Sequence, residues 1–186
     1  IIYIDPWQVK DFLPADIIFI THGHFDHFSQ EDIHKLLKEG TSLILPKGCE
    51  LSDCKSCKMT VVTAGDEKEI KGVKFKAIPA YNKNKSFHPK ASSGLGYLIR
   101  LGSLYLYHAG DTDLIDEMDG LNADIALLPV GGTYTMDGEE AALAAKKLNA
   151  KVIIPMHFSS DRDKDIINLK SNLAQGIDLK VLPLSE

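Results

Sequence analysis

Residues 20–29, Ile20-Thr21-His22-Gly23-His24-Phe25-Asp26-His27-Phe28-Ser29, gather three of the chain's seven histidines and an aspartate within six positions. Clustered imidazoles beside a carboxylate add nothing to an apolar core and repel one another once protonated, so their company makes physical sense around a cation. The spacing has a mechanical reason. The residues before it, "DIIFI", read as a strand, and alternate side chains of extended backbone point the same way, so His22 and His24 can face one point. The chain then turns toward a helix starting near Ser29, which aims Asp26 and His27 at a neighbouring point.

Working outward, short apolar runs recur at Ile1–Ile4, Ile17–Ile20, Ser42–Leu45, Met59–Val62, Val73–Pro79, Leu95–Leu101, Leu104–Tyr107, Ile125–Val130, Val152–Pro155 and Leu179–Leu182. Runs of this length bounded by Gly, Pro or Asp predict strands. "KEIKGVKF" and "IRLGSLYL" each carry Gly between two such runs, a hairpin pattern. Helical spacing predicts three helices. Ser29 to Glu39 is capped by Ser29 with Asp32 three residues on and closed by Gly40. Gly138 to Leu148 follows a capping Asp137, and Arg162 to Leu173 places Ile166, Ile167, Leu169 and Leu173. Hairpins dominate the first half and helix–strand alternation the second, so sheet layers flanked by helices are expected. No repeat or linker divides residues 1–186, which read as one domain; the chain opens inside a strand without methionine, so further N-terminal residues, a strand among them, are expected.

The bulk numbers narrow the function. At 44% hydrophobic and 25% charged, the composition is that of an ordinary globular protein. A net charge of -5 argues against a nucleic-acid partner. No apolar run approaches the roughly 20 residues that cross a bilayer, and no basic-then-apolar leader is present, so a cytoplasmic location is expected. Cys54 and Cys57 form a lone C-x-x-C with Cys49 nearby; in a cytosolic chain this reads as reduced surface thiols, with a redox pair or half a zinc site as the sharper alternatives.

The remaining polar residues arrive at strand ends, where ligands gather in sheets covered by helices. "SLYLYHAGD" delivers Asp111, "KVIIPMH" delivers His157, and the strand ending near Pro79 opens the loop holding His88. Asp5-Pro6, after the first strand, reads as a strand-end turn. His34 and His108 read as structural. Lys83, Lys85 and Lys90 in "NKNKSFHPK" read as a solvated loop or as a contact for phosphate or carboxylate. Tyr134, beyond the strand ending at Val130, is placed to reach a pocket, and Gly131 and Gly132 would let backbone approach a ligand.

The series His22-x-His24-x-Asp26-His27, then His88, Asp111 in "HAGDT" and His157 in "PMHF", resembles the metallo-β-lactamase superfamily over nearly the whole chain. "IIYIDPW", "PVGGTYTMD" and "VIIPMHF" are most similar to its small hydrolases related to L-ascorbate-6-phosphate lactonase. The resemblance implies an α+β fold, an αββα sandwich of two facing mixed sheets with helices on the outer faces. It implies two divalent ions: one on His22, His24 and His88, a second on Asp26, His27 and His157, with Asp111 and a hydroxide bridging. Asp5 resembles the aspartate that opens the superfamily's motif series, a resemblance that implies a role orienting a liganding imidazole. Nitrogen and carboxylate donors suit Zn²⁺, with Mn²⁺ and Fe²⁺ as alternatives. His88 is the least secured donor, since Tyr81 and Asn82 precede it in the same loop; it is chosen as a common zinc ligand. The expected activity is hydrolysis of a small, anionic ester, lactone or phosphodiester by the bridging hydroxide, with Asp26 or Asp111 handling the proton. The alternatives are a nuclease of the tRNA 3′-end-processing type and a non-enzymatic metal-binding or sensing protein.

Overall fold

Alternation within Ile17-Ile18-Phe19-Ile20 decides which side of its sheet each residue covers. The computed structural model describes residues 1–160 and 164–183. In it Ile18 and Ile20 pack with Leu43 and Leu45 under Ile33 and Leu36 of a helix. Ile17 and Phe19 face the other way and meet Phe75, Leu95, Tyr97 and Ile99. Period-two patterning thus builds two apolar layers from one strand.

Two sheets result. The first runs β1 (Ile2–Ile4), β2 (Ile17–Phe19), β3 (Thr41–Pro46), β4 (Cys57–Val62) and is parallel throughout. The second comprises β5 (Glu67–Ile70), β6 (Val73–Pro79), β7 (Leu95–Leu101), β8 (Leu104–His108), β9 (Ile125–Pro129), β10 (Val152–Met156) and β11 (Asp178–Leu179), in the order β11-β10-β9-β8-β7-β6-β5. It is antiparallel from β5 to β8 and parallel from β8 to β11, so the mixing of directions expected from the hairpins lies in this sheet. Lys71 and Gly72 (φ 51° and 79°) make the two-residue turn between β5 and β6, where both central residues need φ > 0.

Helix α1 (Gln30–Leu36) covers the first sheet, and α2 (Gly138–Lys147) with α3 (Lys164–Asn172) covers the second through Ala126, Leu128 and Ile153. This is the expected αββα layering. The Ser29 hydroxyl caps α1 by accepting from the Asp32 amide, and Asp137 and Glu140 form a reciprocal capping box on α2. Helix α1 ends at Leu36 rather than near Gly40, because Leu37 is already extended (ψ 137°). The expected start of α3 at Arg162 lies outside the described residues. Cys54 and Cys57 are joined as a disulfide, not separate thiols, and Cys49 is buried in the first layer with its thiol pushed up to about 11 by desolvation.

Two bonds fasten the sheets together beside the histidine cluster. The Tyr97 hydroxyl donates to the Ile20 carbonyl across 2.6 Å, and the Leu95 amide donates to the Thr21 carbonyl at 2.9 Å. Gly110 (φ 64°) lies where a Cβ would sit 2.6 Å from the Leu95 carbonyl oxygen, so the segment leading to Asp111 passes this junction only without a side chain.

Candidate metal centre

Asp5, delivered by β1, organises the cluster from behind. Its carboxylate accepts from the Thr21 amide at 2.7 Å, the Thr21 hydroxyl at 2.6 Å and His27 Nδ1 at 2.8 Å. Since the Thr21 hydroxyl spends its proton on Asp5, its lone pair accepts from His22 Nδ1, 3.0 Å away. On the far side, His88 Nδ1 lies 3.1 Å from the Tyr134 carbonyl, an acceptor only, and must carry the proton. These assignments follow from the hydrogen-bond network. They leave the Nε2 lone pairs of His22, His27 and His88 facing inward.

What those lone pairs meet tests the fit of an ion. His22 Nε2 and His88 Nε2 both point at His24 Nδ1, at 3.0 Å each, and one ring nitrogen can offer at most one proton to the two. His27 Nε2 is buried without a hydrogen-bond partner, as is Asp111 Oδ1 only 3.6 Å away. His157 Nε2 approaches that same oxygen to 2.9 Å without hydrogen-bond alignment, and Asp26 lies 3.6 Å from His27 Nε2. Inward lone pairs and carboxylate oxygens with too few protons between them are a donor set for cations. Three donor groupings have ligating atoms mutually within 4.8 Å: His22, His24 and His88; His22, His27 and Asp111; Asp26, His27 and His157.

The electrostatics carry the same imprint. Burial holds His22 down to about 3, with the His27 charge pushing the same way, and lowers His88. For His27, burial opposes the charged form, but the Asp5 hydrogen bond and the Asp111 and Asp26 charges outweigh it and raise its pKa. Burial also works against the Asp111 charge, yet His157, His27 and His22 hold its carboxyl well below the usual range. These shifts keep Asp111 charged and His22 and His88 neutral, as metal binding requires.

The structure brings all seven expected donors together. Asp5 and the orientation of His27 follow the sharper of the two expectations for that aspartate. His34 stays outside, bonded to the Gln30 and Ser52 carbonyls, and His108 is buried with Nδ1 accepting from the Gly110 amide. The lysine loop does not present charge to the site. Lys83 pairs with Asp116, Lys90 with Glu117, and Lys85 with Asp113 and the Thr135 carbonyl, so these cations tie the 82–90 loop to the 111–117 and 131–135 loops. Sequence reading missed Thr21, the link between Asp5 and His22. It also ranked Asn82 only as a substitute ligand; its amide instead bonds the Phe87 and Tyr134 carbonyls and supports His88 from below. No spacing rule signals either role.

A cavity of about 660 Å³ opens beside the cluster, reaching Asp26, His88, Asp111 and His157 and walled by Phe25, Phe87 and Tyr134. A volume of this order suits a small molecule.

Comparison with known proteins places these observations among relatives. A family model described as the beta-lactamase superfamily domain matches residues 1–157. A metal-dependent hydrolase of Thermococcus onnurineus is 33% identical over 156 residues, covering 80% of this chain and 69% of the relative. The crystal structure of a protein described as a metal-dependent hydrolase from Parabacteroides distasonis is 36% identical, with a TM-score of 0.80 over 91% of this chain and 77% of that one. Igni18, a metallo hydrolase from Ignicoccus hospitalis, is 26% identical with a TM-score of 0.71, covering 92% and 77%.

Proposed function

The chain belongs to the beta-lactamase superfamily, and from that premise we propose that it is a hydrolase holding two divalent ions, zinc by the chemistry of the donors, that cleaves a small ester, lactone or phosphodiester. The single observation that carries the reading is the pair of buried atoms His27 Nε2 and Asp111 Oδ1, neither in an aligned hydrogen bond, set among inward-facing imidazole lone pairs. His22, His24 and His88 would hold one ion, Asp26, His27 and His157 the other, and Asp111 lies between the two groupings. Ions bound there would supply an acidified water and Lewis-acid polarisation of the substrate's carbonyl or phosphoryl oxygen.

The chain's own groups do the rest. Asp5 and Thr21 fix the tautomers of His22 and His27, and the Tyr134 carbonyl fixes that of His88, so the donors are oriented before any ion arrives. Asp26 is half-buried at the cavity wall, which suits it to accept a proton from water and return it to a leaving group. A nucleic-acid strand is disfavoured, since among the described residues no lysine or arginine lines the cavity.

Elemental analysis tests this directly. The purified protein, supplied with excess zinc, is expected to approach two ions per chain, and Asp26→Ala and His157→Ala each to lose chiefly one. A wild type that never exceeds one ion would end the dinuclear reading.

A further inference from the structure

The walls of the cavity are aromatic and conspicuously exposed. Phe25 is 77% exposed, Tyr134 53% and Phe87 47%, although aromatic rings are among the side chains with most to gain from burial. Phe87 and Tyr134 meet edge to face with ring centroids 4.6 Å apart. Their exposure is not slackness. The Tyr134 carbonyl is gripped by His88 Nδ1 and the Asn82 amide, the Phe87 carbonyl by the same Asn82, and both anchoring side chains are buried. Buried polar groups thus hold the backbone on which the two rings are presented to the cavity.

Charge is missing from the same walls. The three nearby lysines are committed to Asp113, Asp116 and Glu117, and the ionisable groups that reach the cavity are the proposed metal donors. An anionic tail on a substrate would find no cation along these walls, whereas an alkyl or aryl tail would cover three exposed rings.

We propose that the cavity selects an uncharged substrate bearing an apolar tail, which lies between Phe25 and the Phe87–Tyr134 pair while its ester or lactone group reaches the metal donors. This rests on the hydrolase reading and narrows it, replacing the anionic substrate expected from the lysine-rich loop.

The test uses the zinc-loaded protein and γ-lactones that differ in one alkyl tail, against a lactone of matched length ending in carboxylate. Burial of a methylene contributes about 0.8 kcal/mol, so kcat/KM is expected to rise about fourfold for each methylene added until the tail outgrows the cavity. Phe25→Ala and Tyr134→Ala, checked for unchanged metal content, are expected to cut that increment to about twofold or less. A flat series, or preference for the carboxylate-ended lactone, overturns the proposal. Should no lactone turn over, the lactone arm of the hydrolase reading fails instead. Calorimetric Kd values for the same series still decide the tail, since tighter binding with length, weakened in both variants, upholds it and length-independent binding refutes it.

Discussion

His108 shows how far a residue's chemistry depends on its burial. It is one of seven histidines, it sits three residues before Asp111, and yet it lies outside every donor grouping. Burial lowers its pKa to about 4. The native ring therefore stays neutral while the unfolded one takes up a proton near its ordinary 6.5, so the unfolded state binds more protons as pH falls between those values. Stability should drop by about 1.4 kcal/mol per pH unit across that window on account of this residue alone. His108→Asn keeps an acceptor for the Gly110 amide and is expected to flatten the slope of unfolding free energy between pH 6.5 and 4 by that amount, measured by urea titration. Parallel curves would show that His108 does not carry the dependence. The contrast with His22 also marks what was legible in the sequence. The donors could be read because metal chemistry forces particular residue types into a particular spacing. Thr21 and Asn82 could not, because a hydroxyl or an amide acquires a role only from what tertiary packing sets beside it.

At the scale of elements, caps and hairpins were readable because their physics is local. Ser29, Asp137 with Glu140, and the Lys71-Gly72 turn satisfy backbone groups within a few residues. The direction of pairing in the first sheet and the end of α1 were less so, since both depend on distant partners. Gly138 illustrates the same divide. As the first residue of α2 it looks like a weak helix former, and replacement by Ala should gain up to about 1 kcal/mol of helix propensity. Packing reverses the sign. A Cβ there would lie 2.0 Å from the Asp165 carbonyl oxygen and 2.7 Å from the Leu169 amide, backbone atoms of α3 that cannot rotate away. Overpacking of this kind costs about 1–3 kcal/mol or more. Gly138→Ala is accordingly expected to lower the urea midpoint, with a net loss of about 2 kcal/mol; a stabilised variant would mean that α2 and α3 are not packed this closely.

Across the whole molecule, the donor cluster is where the two sheets are made to agree. The first sheet contributes Asp5 and the His22–His27 loop, the second His88, Asp111 and His157, and hydrogen bonds from Tyr97 to Ile20 and from Leu95 to Thr21 cross between the sheets beside them. Apolar contacts of Phe19, Phe75 and Tyr97 hold the interior together without help. The donor cluster itself is polar, with inward lone pairs and too few protons between them. Ions held there should therefore stabilise the fold by linkage, about 2.7 kcal/mol for each site when free metal stands at a hundred times its Kd. For a chain of this size that corresponds to about 5–10 °C in Tm per site. Chelation is expected to lower Tm by at least that much. Amide exchange should rise first in residues 21–28, 82–88 and 131–135, the loops that carry or brace the donors, while β2, β3 and β7 keep their protection. A chelated protein that has lost its metal yet melts at the same temperature, with these loops still protected, would show that the interior alone sets the edge and that the ions, however catalytic, do not staple the sheets.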